Sequence, residues 1–197
     1  MKRNSTRLQG FLLIAGILWV GVIAKGFAML EREEFTPVAL APVLASFHKD
    51  SKISHATEKP TLILFLHPRC PCSSATLDDL DRLLAETQNK LSAIIVFTIP
   101  KGEPAGWEQG DLWKSAARMT DVRVLRDQDG LEARRFGVIG SGHALLYGTS
   151  GRLLFSGGIT PSRGHEGDNA GSDAIVSFVL NGRALINHTP VFGCSLL

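Results

Sequence analysis

Apolar positions fall in blocks along this chain, and each block has the length or period of a particular element. From Leu8 to Ala24 no residue is charged; Lys25 interrupts, and Gly26-Phe-Ala-Met-Leu30 continues the run. As a helix, residues 8–30 reach roughly 34 Å at about 1.5 Å per residue, enough to cross a hydrocarbon core of about 30 Å. Thr61-Leu-Ile-Leu-Phe-Leu66 and Ser92-Ala-Ile-Ile-Val-Phe-Thr-Ile99 are nearly continuous apolar runs of strand length, the pattern of strands buried on both faces. Between them Leu77, Leu80, Leu83 and Leu84 recur at helical spacing and predict a helix from about Ser73, with Ser73 or Ser74 as N-cap and Asp78 and Asp79 in its early turns.

The remaining pattern predicts a helix over Trp107–Met119, a short strand Val122–Leu125 and a short helix Leu131–Phe136 ended by Gly137. Ala144–Tyr147 and Leu153–Ser156, separated by Gly148-Thr-Ser-Gly151, read as a β-hairpin. A Gly-rich loop over Gly157–Gly171 and a last helix, Ser172–Leu180, follow. The order is α/β: a mixed sheet with helices on both faces, its crossover strands parallel and its hairpin antiparallel at one edge. The expected organisation is a cytoplasmic N-terminus (1–7), a transmembrane anchor (8–30), a juxtamembrane spacer (31–58) with a short helix over Val38–Phe47, a domain (59–183) and a tail (184–197) carrying Cys194.

Charge sets the orientation. Lys2, Arg3 and Arg7 precede the long apolar run, and Glu31, Glu33 and Glu34 follow it, so the positive-inside rule leaves the N-terminus in the cytoplasm and the domain on the periplasmic side. A cleaved signal peptide would show a similar start, but the best cleavage pattern, Ala24-Lys25-Gly26, contains a charge, which favours an uncleaved anchor. A net charge of +2, with no basic stripe interleaved with aromatics, excludes a nucleic-acid surface. Three cysteines, Cys70, Cys72 and Cys194, are too few for a disulfide scaffold, and the odd number leaves one thiol free or the pairing exchangeable.

The loop His67-Pro-Arg-Cys-Pro-Cys, placed between a buried strand and a helix start, carries the candidate chemistry. A cysteine near a helix N-terminus meets partial positive charge and unpaired N–H groups that favour the thiolate. Arg69 beside Cys70 pushes the same way, as does His67 when protonated. Cys70 is therefore the expected nucleophile, with Cys72 or a folded-back Cys194 resolving. A Cys-x-Cys disulfide closes a tight ring and is expected to be strained and oxidising. In the Gly-rich loop, at the same sheet edge, His165 is a candidate acid–base or thiol-orienting group and Arg163 a candidate carboxylate holder. His143 is a weaker candidate, and Asp168 or Asn169 can cap the last helix.

These residues carry a resemblance. The strand-then-cysteine stretch Leu62-Ile-Leu-Phe-Leu-His-Pro-Arg-Cys70 and the hairpin stretch from Phe136 to Phe155 resemble the thioredoxin superfamily. More narrowly, His67-Pro-Arg-Cys-Pro-Cys-Ser, the loop Phe155–Gly171 and Pro190-Val-Phe-Gly-Cys-Ser-Leu resemble the RedB proteins. The resemblance implies a membrane-anchored protein of thioredoxin-like fold, and the thiol chemistry of its residues makes thiol–disulfide exchange on an exported protein or a small thiol, without a cofactor, the first expectation. Two positions depart from the superfamily: Ser73 stands where its Cys-x-x-Cys motif has the second cysteine, and Ser141-Gly142-His143 stands where it has a cis-proline. The competing expectations are copper binding by Cys70, Cys72 and His165, as in copper-delivery proteins of this fold, and a binding module without turnover.

Overall fold

The computed structural model describes every residue except Met1, Leu40, Asn89, Ala105 and Leu197, with side chains from Gly10 onward, so the side chains of Lys2, Arg3, Arg7 and Leu8 lie outside the described residues. The chain divides into two units, residues 1–36 and 37–197. The first is one helix, α1 (Lys2–Glu34). Its segment Gly10–Glu34 is long and apolar enough to cross a membrane, and its large apolar side chains are exposed.

The second unit follows the order β1 (Thr61–Leu66), α2 (Ser73–Thr87), β2 (Ser92–Ile99), α3 (Asp111–Arg118), β3 (Val122–Gln128), α4 (Leu131–Phe136), β4 (His143–Tyr147), β5 (Leu153–Gly158) and α5 (Ala170–Asn181). The five strands form one sheet in the order β3-β2-β1-β4-β5. β1 pairs parallel with β2, and β2 with β3; β4 runs antiparallel to both β1 and β5. Because successive strand residues point to opposite faces, Leu62, Leu64 and Leu66 pack with α2, α3 and α5, while Ile63 and Phe65 pack with α4. The mixed sheet with helices on both faces is as the pattern predicts. The third helix starts later than expected, at Asp111.

The expected spacer is not one. From Pro37 onward the chain belongs to the compact unit, and its described residues before Ser46 form no helix, contrary to the expected Val38–Phe47. The reason is the uncovered part of the α4 face. Phe47 meets Phe136 and Tyr147 edge-on at 5.5 and 5.3 Å, and Ile53 is buried beside them. Extended backbone fits this role because it bonds to the strand end: Leu153 N–H donates to the Ala45 carbonyl and the Tyr147 hydroxyl to the Leu44 carbonyl.

The tail is likewise part of the domain. Residues 187–190 lie along the outer edge of β5: Ser156 N–H donates to the Asn187 carbonyl and Gly158 N–H to the Pro190 carbonyl. A Cβ on Gly158 would collide with that carbonyl, so glycine is what lets the tail approach. The contact covers an otherwise open sheet edge.

Candidate functional site

Three segments converge at one end of the sheet: the loop after β1, the turn before β4 and the tail. The Cys70 amide donates to the His67 carbonyl at 3.1 Å, and the Ser73 amide to the Cys70 carbonyl at 3.0 Å, folding the loop tightly into α2. Cys72, not a serine, occupies the N-cap position, with helical backbone angles. The Ser74 hydroxyl instead donates to the Pro71 carbonyl, and the Ser73 hydroxyl pairs with that of Ser141 at 2.9 Å. Both hydroxyls are thus turned away from the capping role expected of them.

Ser141 joins the three segments. Its hydroxyl accepts from the His67 amide at 2.9 Å, and its own amide donates to the Cys194 carbonyl at 2.8 Å. Leu196 N–H donates to the Ile139 carbonyl at 2.9 Å, extending the seam. Gly142 has φ +88°, and its amide donates to the Phe65 carbonyl at 2.8 Å, placing this turn at the end of β1.

The result is a cluster of three sulfurs. The Sγ atoms of Cys70, Cys72 and Cys194 all lie within 4.8 Å of one another. All three are free thiols; Cys70 is buried and the other two are half-buried. Burial pushes the Cys70 thiol up, but hydrogen bonds from the Cys194 thiol and amide, the Ser73 hydroxyl and the Cys72 amide outweigh it and hold Cys70 below the ordinary cysteine range. Cys72 is pushed up by burial and by the charge of Cys70. Cys194 is pushed up to about 12 by burial and by its bond to Cys70, against the opposing charge of Arg163. Of the three, Cys70 is therefore the thiol that ionises most readily, and its two neighbours hold their protons more tightly.

The other predicted residues divide. Arg163 reaches the site from the Gly-rich loop and donates to the Gly193 carbonyl at 2.6 Å, next to Cys194. Arg69 turns away: its guanidinium stacks over the Trp107 ring at 4.3 Å, so the thiolate is favoured by hydrogen bonds rather than by this charge. His67 is pushed below its usual range by burial first and by Arg69 second, which disfavours the protonated form expected to assist Cys70. His165 is exposed, with Nδ1 facing the Ser162 hydroxyl and the Arg163 carbonyl at 3.1 Å each, and stands outside the sulfur cluster. The third sulfur-cluster member is Cys194. Asn169 caps α5, its side chain accepting from the Ser172 amide at 2.8 Å.

Sequence reasoning missed Ser141, Gly193 and Asp79. Buried Asp79 accepts from the Gly167 amide at 3.1 Å and pairs with Arg82, pinning the Gly-rich loop to α2; burial raises its carboxyl above the usual range despite these partners. An acidic residue on the apolar face of α2, one residue before Leu80, was the available signal.

His143 is a structural residue of β4. It is buried, and its Nε2 bonds to the Ser156 hydroxyl at 2.8 Å. Desolvation lowers its pKa to about 4. Between pH 4 and the unfolded value near 6.5, the unfolded chain binds the extra proton, so stability falls on acidification by about 1.4 kcal/mol per pH unit. Urea unfolding of the full chain in detergent is expected to show wild type losing about 2 kcal/mol more than His143→Gln between pH 6.5 and pH 5. Equal losses would show that His143 is not buried neutral.

A cleft of about 370 Å³ between the cysteine loop, α2 and α3 opens beside the cluster, bordered by Cys70, Pro68, Pro71, Leu77 and Leu112. Arg69, Ser74, Asp78, Asp111 and Ser115 line it as well, so its wall next to Cys70 is mixed apolar and polar.

No protein-family model and no curated protein matches the chain. Solved structures do. A hypothetical protein from Sinorhizobium meliloti 1021 is 17% identical, with 82% of this chain and 95% of that one covered at a TM-score of 0.60. An uncharacterized conserved protein from Geobacillus kaustophilus is also 17% identical, with 82% and 92% covered at 0.60. The exposed lipoprotein thioredoxin from Streptococcus pneumoniae is 21% identical over 64% of this chain and 86% of its own, at 0.46. At 17% identity the likeness to the first two is one of fold. The central β1 leading into a cysteine loop and α2, with an antiparallel β4–β5 hairpin beside it, sets the class. The fold is thioredoxin-like.

Proposed function

We propose that this chain is a membrane-anchored, RedB-type thiol–disulfide oxidoreductase working on the extracytoplasmic side, with Cys70 as nucleophile and Cys194 as resolving thiol. One observation carries the reading: the Cys70 sulfur lies within 4.8 Å of the Cys194 sulfur, accepts its hydrogen bond and borders an open cleft. The flanking charges of α1 and the RedB-like motifs support the location and the subtype.

The cycle balances as two exchanges. The Cys70 thiolate attacks a substrate disulfide, forming a mixed disulfide and releasing one substrate thiolate. Cys194 loses its proton and attacks the Cys70 sulfur, releasing the second substrate thiolate and leaving a Cys70–Cys194 disulfide. Two electrons have then passed to the substrate, and a partner dithiol, itself oxidised to a disulfide, restores the two protein thiols. The same steps run backward with an oxidising partner, so the partner's potential sets the direction. Cys194 is favoured over Cys72 because a Cys70–Cys72 bridge would close a strained ring at the start of α2.

Trapping tests the assignment. With insulin as disulfide probe and a small dithiol as reductant, Cys194→Ser is expected to accumulate an insulin adduct on Cys70, visible by mass, while Cys72→Ser and wild type do not. Adduct in Cys72→Ser with normal turnover in Cys194→Ser would overturn it.

A further inference from the structure

The three sulfurs admit a second chemistry that does not depend on turnover. A d¹⁰ cation bound by three thiolates at about 2.3 Å sets them about 4.0 Å apart. Here the three Sγ atoms already lie within 4.8 Å, so each pair needs to close by less than about 1 Å to reach that triangle. The donor set is all sulfur, and among the described residues no histidine or carboxylate joins it. Soft donors in a three-coordinate array suit Cu(I), whereas zinc in closed sites takes four ligands.

The surroundings are built to hold such an array. Cys194 is fixed from both sides, by its carbonyl on the Ser141 amide and by Leu196 on Ile139. Cys70 and Cys72 are fixed by the turn into α2. Arg163, seated on the Gly193 carbonyl, supplies positive charge beside a site whose three thiolates outweigh one monovalent cation. The Gly164 backbone lies beside Cys72, a Cβ built there falling 3.9 Å from its sulfur.

We infer that Cys70, Cys72 and Cys194 form a trigonal, all-sulfur binding site for one Cu(I) ion per chain, with Cys194 rather than His165 as the third ligand. Metal and disulfide are then alternative occupants of the same three sulfurs, since a bridged pair has no thiolates to give.

The test titrates reduced full-length protein in detergent with Cu(I) delivered as its acetonitrile complex, against a competing chelator. X-ray absorption of the loaded wild type counts the neighbours. The expected result is one Cu(I) per chain with three sulfur neighbours, and an affinity loss in Cys194→Ser beyond the roughly 10–100-fold typical of outer-shell changes. His165→Ala is expected to bind as wild type does. No retained Cu(I), two sulfurs with or without an imidazole, or unchanged affinity in Cys194→Ser would overturn the inference. The sulfur count on wild type needs no variant to fold. Insulin reduction with the chelator present reads the exchange reaction separately, so either proposal can fail alone.

Discussion

Cys70→Ser is expected to lower disulfide exchange by on the order of 10³-fold or more, because it removes the one thiol of the three whose surroundings favour the thiolate. The substitution keeps a small polar atom at a buried position, 4% exposed, where the Ser73 hydroxyl can still bond to it, so the fold should survive. The remaining thiols cannot substitute. Burial raises both Cys72 and Cys194 above the ordinary range, leaving little thiolate near neutral pH. Two measurements check this. Insulin reduction should vanish, and alkylation of the folded reduced protein at pH 7, fast at a single residue in wild type, should become slow throughout. Fast alkylation that persists in Cys70→Ser would move the nucleophile elsewhere.

Gly193→Ala is expected to be nearly as damaging to turnover, although it removes no reactive group. A Cβ on Gly193 would overlap the Ser141 carbonyl oxygen and its carbon. These are backbone atoms at the turn before β4, so one of the two strands of the seam must move. The Ser141–Cys194 backbone bond of 2.8 Å is the first contact at risk, and Arg163 on the Gly193 carbonyl is the second. A misplacement of about 1 Å in a reacting group can cost on the order of 10²-fold in rate. The mixed disulfide on Cys70 should therefore persist about 100 times longer than in wild type. Overpacking of this kind should also lower stability by about 1–3 kcal/mol. Single-turnover resolution followed by mass spectrometry measures the first effect and urea unfolding the second. Resolution at the wild-type rate would show that the seam does not position Cys194.

The two variants separate the parts of the site that were legible in the sequence from those that were not. Cys70 announces itself locally: a buried strand, a short loop and a helix start lie within a few residues of it, and each has its own hydrophobic signature. Gly193 has no such signature. Its role comes from contact with Ser141, far away in the chain, and no period or spacing reports that contact. Arg69 shows the converse. Its neighbour in sequence is Cys70, yet its neighbour in space is Trp107, because a guanidinium on an exposed loop gains more by stacking on an aromatic face. Adjacency along the chain was the wrong guide to the field at the thiol.

By itself the sequence determined the long apolar α1, the strands and helices of the mixed sheet, their order, and the sheet edge that carries Cys70 and Cys72. Those features follow from the burial of apolar faces, which repeats with a fixed local period. The tertiary structure alone decided that residues from Pro37 cover the α4 face, that the tail closes the β5 edge, and that Cys194 completes a three-sulfur site with Cys70 and Cys72. These depend on which surfaces remain uncovered once the sheet has formed, and on backbone hydrogen bonds between distant segments that any residue type can make.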